Sequence, residues 1–335
     1  MRKSVMFMAV LVSVSLPYGS VASAHTRLSA PIGVVAQDPA KEEADAYAAW
    51  YNVKTDPSKA VGLAKAYLEK YPDGKYAKYL KGWVRPYLFN EAIASKNTNE
   101  MIRIGKEALA EDPNNLDYLY LMAFNIRTNE LSASPANYSH GADVADFSQR
   151  AVKLIEEGKI PGVVPKEHWK QGPVLAMLYH NIALVEGKNK NVDKALELYK
   201  KAADLDPTTP TYFLAMGNLY QEKYQAAYQR YQALPQSDRE AADPKPEVKA
   251  ALDEVNSHAD QVIQSWARFM ALTANVDAWK ATRDQVNDIL TNLYKYRHPD
   301  DAQGLQKLIE QFKGNGAPSA GAAGSATNAN ASPKP

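Results

Sequence analysis

Between residues 41 and 313 the hydrophobic positions recur at intervals of three and four, the period of one helix face. Ala44, Tyr47, Ala48 and Tyr51 form a first apolar stripe, and Asp56-Pro57 then sets a helix N-cap with proline at the first helical position. The helix it starts is predicted to end near Tyr71, where Pro72-Asp73-Gly74 turns the chain. Tyr76, Tyr79, Leu80, Trp83, Val84, Tyr87 and Leu88 follow at i, i+3, i+4 and i+7 and define the most aromatic helix. A helix over 99–111 comes next, with surplus residues expected in a connection over 90–98. Residues 116–127 open a third pair, whose second helix, 142–157, is delayed by a Ser-, Asn-, Pro- and Gly-rich loop over 128–141. After a break at 158–165, a helix beginning at 166 or 172 enters the clearest part of the pattern.

That part is 175–220. Tyr179, Ile182 and Ala183 mark one helix, Ala195, Tyr199 and Ala202 a second, and Asp206-Pro207 closes the pair. Adding 34 to the first three positions lands on Phe213, Met216 and Gly217, so the next unit starts one repeat period later. Small residues let two helix backbones approach, and Pro207, lacking an N–H, ends the second helix. Ala48, Ala60 and Pro72 carry the same spacing of 12 and 12 as Ala183, Ala195 and Pro207. In these features the chain resembles the tetratricopeptide repeat (TPR) family.

The resemblance implies an all-α fold, a TPR-like α-solenoid of antiparallel helical hairpins over 41–234. It also implies partner binding in a concave groove lined by the first helix of each hairpin. Carried over residue by residue, the groove positions are Tyr76, Tyr79, Trp83 and Pro86, then Asp117, Tyr120, Phe124 and Arg127. They continue with Met177, His180, Leu184 and Gly187, and with Thr211, Leu214, Asn218 and Gln221. The candidate contact set is Tyr76, Tyr79, Trp83, Tyr120 and Phe124, with Arg127, His180 and Asn218 as polar contacts. Trp83 and Tyr79 admit a second reading as core, against Ala64 and Ala108. The family's carboxylate clamp, a Lys/Asn/Arg set gripping a peptide C-terminus, is not matched.

Beyond Tyr220 the register fails, because Ala226, Ala227 and Tyr231 come too early; either two helices fuse or a turn is lost. A breaker-rich linker is expected over 235–246, then a helix of up to 28 residues from Val248 through Phe269. Apolar positions at 286–293 and 302–312 predict a last, degenerate hairpin with a polar outer face that caps the array. Residues 314–335 hold only Gly, Ala, Ser, Asn, Thr, Pro and Lys and are expected to be disordered.

Charge narrows the partners: 39 basic residues against 38 acidic leave no electrostatic footprint for nucleic acid. The absence of cysteine excludes disulfides, thiolate catalysis and a lipid-anchored cysteine. Arg2 and Lys3, the apolar run 5–16 and Ala22-Ser23-Ala24 have the form of a signal peptide cleaved after Ala24. The run falls short of the ~20 residues of a bilayer span, so the mature chain is expected to be exported without a transmembrane segment. Cleavage removes two basic residues and no acidic one, taking the formal charge from +1 to −1. Residues 25–40, with Pro31 and Pro39, read as a tether.

No nucleophile elbow, phosphate loop, HExxH helix or cofactor motif is present. The six histidines are scattered, and His258 with Glu254 reads as a solvated pair on a helix face. The expected role is a non-catalytic envelope scaffold that binds a protein or peptide. One alternative is a saccharide binder using coplanar exposed rings flanked by Asp, Asn or Arg. The other is an enzyme built in the 128–172 insertions, with His140 and His168 as its acid/base groups and two carboxylates converging on one of them.

Overall fold

A computed structural model describes residues 38–314. The stretch read as a signal peptide, most of that read as a tether and all but one residue of the 314–335 tail lie outside the described residues. Within them the chain forms thirteen α-helices and no strand. The helices are α1 (Pro39–Tyr51), α2 (Pro57–Lys70), α3 (Ala77–Ala94), α4 (Thr98–Glu111), α5 (Leu116–Ile126), α6 (Gly141–Glu156), α7 (Gln171–Lys188), α8 (Val192–Leu205), α9 (Pro210–Gln232), α10 (Gln236–Arg239), α11 (Pro246–Thr273), α12 (Lys280–Arg297) and α13 (Gly304–Gly314). From α1 to α9 each helix packs on the next in sequence, and α9 pairs with α11. The result is a stack of antiparallel hairpins, α1/α2, α3/α4, α5/α6, α7/α8 and α9/α11, in which neighbours share apolar surface. No helix among the described residues is long and apolar enough to cross a membrane.

Local chemistry starts and stops these elements. The Asp56 carboxylate accepts the Ser58 N–H at 3.2 Å, and Asn97 and Asn115 cap α4 and α5 in the same way. Asp38 caps α1 with Pro39 at the first turn, so this helix begins two residues inside the stretch read as tether. Two of the hairpins share one turn. After α3 and after α7 a lysine takes a left-handed backbone, Lys96 at φ 55° and Lys190 at φ 64°. In each, the next asparagine N–H returns to a carbonyl five residues back, which ties off the helix end.

Small residues sit where helices approach closest: Ala60, Ala64, Ala183, Ala195 and Ala202 are fully buried. Ala48, matched to Ala183 by spacing, is exposed. The reason lies in its place in the array: α1 has no preceding hairpin among the described residues, so it needs only one buried side. That side centres on Trp50, 0 % exposed, rather than on the Ala44/Ala48/Tyr51 stripe.

Several connections differ from expectation. The surplus at 90–98 is mostly helix, because α3 continues through Pro86 to Ala94 and turns only at Ser95–Asn97. The 128–141 loop opens with a π-helical turn, Arg127–Leu131, before its irregular part. The register break after Tyr220 is the lost turn, because the helix continues unbroken through Ala226, Ala227 and Tyr231. There α9 simply runs on for 23 residues, and the 28-residue α11 returns along it. The 235–246 stretch holds the short α10. Finally, α12 and α13 do not form a hairpin with each other; both lie on α11, with Leu290 and Leu293 joining the α9/α11 core and Ile309 packing on Ala267 and Ala271. A 28-residue helix offers more apolar surface than one partner covers.

Candidate functional site

The groove positions assigned by the repeat register are half-buried or exposed, with one exception, His180. They do not form one continuous surface. The structure divides the candidate residues into two groups on successive first helices.

The first group joins α1 to α3. Tyr76 stacks on Tyr47 with ring centroids 3.8 Å apart, and its backbone N–H donates to the Tyr67 hydroxyl. It is therefore a packing residue at the start of α3, not an open contact. Trp83 is half-buried and meets Trp50 edge-on at 5.2 Å and Tyr87 at 5.0 Å. The tryptophan enclosed on all sides is Trp50, which spacing alone had not placed among the candidates. Tyr79, 54 % exposed, stands edge-on over Trp50 at 5.6 Å beside the exposed Tyr51. The exposed rings of Tyr79 and Tyr51 thus both meet the buried Trp50 edge-on, at 77° and 65°.

The second group runs down α5 and under α7 and α9. Tyr120 and Phe124 lie one turn apart, stacked at 6.2 Å, and Arg127 follows at the start of the π-helical turn. All three are half-buried. Burial pushes the Tyr120 phenol up and lowers the Arg127 guanidinium pKa. Tyr212, at the start of α9, neighbours Arg127, whose charge acts against the burial that pushes the Tyr212 phenol up. Asn218 stands exposed farther along α9.

His180 is a correction. Only 6 % exposed, it packs its ring against Tyr212 at 5.0 Å and Tyr199 at 5.5 Å, and its Nδ1 has no hydrogen-bond partner. The first turn of α9 covers it, so it makes no direct contact with a partner in the groove. Burial and then the Arg127 charge push its pKa down to about 3. Below pH ~6.5 the unfolded chain binds a proton that the folded chain refuses, so this residue makes stability fall as pH drops from ~6.5 toward 3. His180→Gln is expected to remove that slope. Urea midpoints at pH 7.5 and 4.5 check it: the variant should lose less than the wild type on acidification, and an equal loss in both refutes it.

Tyr199 and Tyr212 were not among the sequence candidates. Tyr199 lies on a second helix and reads as core, and Tyr212 falls between two groove positions of the repeat. The histidines read as acid/base groups are placed otherwise. His140 Nδ1 lies 2.8 Å from the buried Glu130 and its Nε2 3.0 Å from Asn99 Oδ1, a contact that pins the 128–141 loop with one carboxylate, not two. His168 is exposed. His258 is not the solvated pair expected: it is half-buried, 3.7 Å from Glu254, which itself reaches Arg230 of α9 at 2.6 Å. No group of three or more His, Cys, Asp or Glu among the described residues could hold a metal ion. A pocket of about 520 Å³ lies apart from both groups, against α11, α12 and α13, lined by Asp260, His298, Asp301 and Lys307 among others.

A family described as TPR repeat matches residues 188–223, which span the turn after α7, all of α8 and the first half of α9. No curated protein matches the chain. Residues 188–223 are thus a TPR repeat, set within a stack of antiparallel helical hairpins of the same TPR-like form.

Proposed function

We propose that the protein is an exported, non-catalytic scaffold that receives a segment of a protein partner along its first helices. A TPR repeat points to protein interaction in general terms. One observation carries the finer reading. Tyr120, Phe124 and Arg127 form a single stripe at i, i+4 and i+7 on α5, large and only half-buried, while the second helices bury their apolar faces in the stack. Aromatic and arginine side chains dominate the energetics of such interfaces. The basic start, apolar run and Ala22-Ser23-Ala24 support export, which puts the partner in the cell envelope.

The test is crosslinking capture from envelope extract with the wild type and with Tyr120→Ala/Phe124→Ala, whose melting temperature is measured alongside. A specific partner should be retained by a wild-type chain beginning at His25 and lost about tenfold or more by the variant, as for an interface anchor. Equal recovery by both chains overturns the groove, and recovery of the chain from cytosol with an intact N-terminus overturns export.

A further inference from the structure

The arginines of the described region are almost all accounted for. Arg85, Arg103, Arg150, Arg230 and Arg297 meet carboxylates, Arg239 and Arg283 meet carbonyl oxygens, and Arg268 lies over the rings of Phe213 and Phe312. Arg127 is different. It is half-buried, and no Asp or Glu among the described residues lies within ion-pair distance. The rest of the sequence cannot supply one, since residues 1–37 and 315–335 contain neither Asp nor Glu. A guanidinium drawn out of water without a counter-charge is costly, and it brings five donors and no acceptor.

Its surroundings add to that imbalance. Tyr212 neighbours Arg127, and the rings of Tyr212 and Tyr199 pack on His180, whose Nδ1 is buried without a partner. The π-helical turn that begins at Arg127 widens the end of α5 at this point, and such turns recur at functional sites. The place therefore holds one cation with no carboxylate partner, a neighbouring phenol and, behind that phenol, one unsatisfied ring nitrogen, and it lacks an anionic acceptor. Tyr120 and Phe124 lead to it along the same helix face.

We propose that Arg127, with Tyr212 beside it, is an oxyanion site that takes a carboxylate of the bound partner, an acidic side chain gripped by the guanidinium fork where the aromatic stripe ends. The assignment rests on the groove reading above for the identity of the ligand's carrier, but the site itself does not need the partner to be tested. Lys would not replace Arg here, because an ammonium has no planar fork to match the two carboxylate oxygens.

Sodium acetate and inorganic phosphate, titrated into the isolated chain at constant ionic strength, give the test. The Arg127 Nε–H and His180 ring resonances are followed by NMR, with Arg268→Gln as a control that leaves the site intact. Acetate should shift both signals along a saturable curve, Arg127→Lys should weaken it about tenfold, and Arg127→Gln should abolish it at His180. Linear, unsaturable shifts with both anions overturn the site. Tighter saturation by phosphate than by acetate overturns the carboxylate in favour of a phosphorylated group. If Arg127→Gln does not fold, the wild-type titration and the Lys variant still decide. Saturable acetate binding together with unchanged capture by Tyr120→Ala/Phe124→Ala would keep this site and remove the groove reading; the reverse pair of results would do the opposite.

Discussion

Trp266→Ala is expected to lower stability by about 3–5 kcal/mol, the cost of removing a large enclosed aromatic side chain. Trp266 is 1 % exposed and fills the space between α11 and α9, where it lies against Gly217. The two helices meet closely because Gly217 has no side chain: a Cβ built there would come within 2.2 Å of both Cδ1 and Nε1 of the indole. Gly217→Ala should therefore destabilise as well, since overpacking costs about 1–3 kcal/mol and exceeds the gain of up to ~1 kcal/mol in helix propensity. Gly105 offers an internal comparison. Its Cβ would approach Met122 Sδ at the same 2.2 Å, but a methionine side chain can move aside, so Gly105→Ala should cost less. Trp266→Phe should cost less than the alanine variant for a second reason, because the indole N–H is buried with no acceptor and its loss forfeits no hydrogen bond. Chemical denaturation followed by circular dichroism reads all four. An alanine variant at 266 with an unchanged midpoint would show that α9 and α11 do not depend on this contact.

Trp50→Ala is expected to have an effect of similar size, about 3–5 kcal/mol, confined to the first hairpins. Trp50 holds α1 onto α2 and α3 through Ala60, Ala64, Leu80 and the ring edges of Tyr79 and Trp83. Stacked repeats couple mainly to their neighbours, so the loss should appear as early melting of residues 38–94 while the α9/α11 hairpin keeps its transition. Hydrogen exchange resolves the two regions. Trp83→Ala, at a half-buried site, should cost only about 1–2 kcal/mol, in line with the smaller area it removes from water. Equal costs at 50 and 83 would mean that Trp83 is as much core as Trp50, and loss of exchange protection in α11 from either variant would contradict a neighbour-coupled stack.

The two tryptophans also show how far residue spacing reaches. Period, turn and capping signals placed most of the helices: Asp56-Pro57 starts α2, Pro72-Asp73-Gly74 separates α2 from α3, and Pro207 follows the end of α8. The repeat at 188–223 was legible because Ala183, Ala195, Phe213 and Gly217 each sit in a packed contact between helices. Where a position has no such neighbour, spacing misleads. Ala48 carries the repeat's small residue and is exposed, because α1 stands at the end of the stack.

The candidate site divides in the same way. That Tyr120, Phe124 and Arg127 share one face of α5 follows from the i, i+4, i+7 period of a helix, and the amino-acid order alone determines it. It likewise determines that the sequence outside 38–314 has no side-chain carboxylate to offer Arg127. What only the stacking of hairpins decided is which of these positions stays open. His180 and Tyr120 have the same rank in the repeat's groove pattern, yet the first turn of α9 closes over the histidine and leaves the tyrosine half-exposed. Tyr212 and Tyr199 reach His180 from other helices, through contacts between residues 19 to 32 positions apart in the chain. Helical period acts over four residues, whereas burial depends on what the neighbouring hairpin lays across a face.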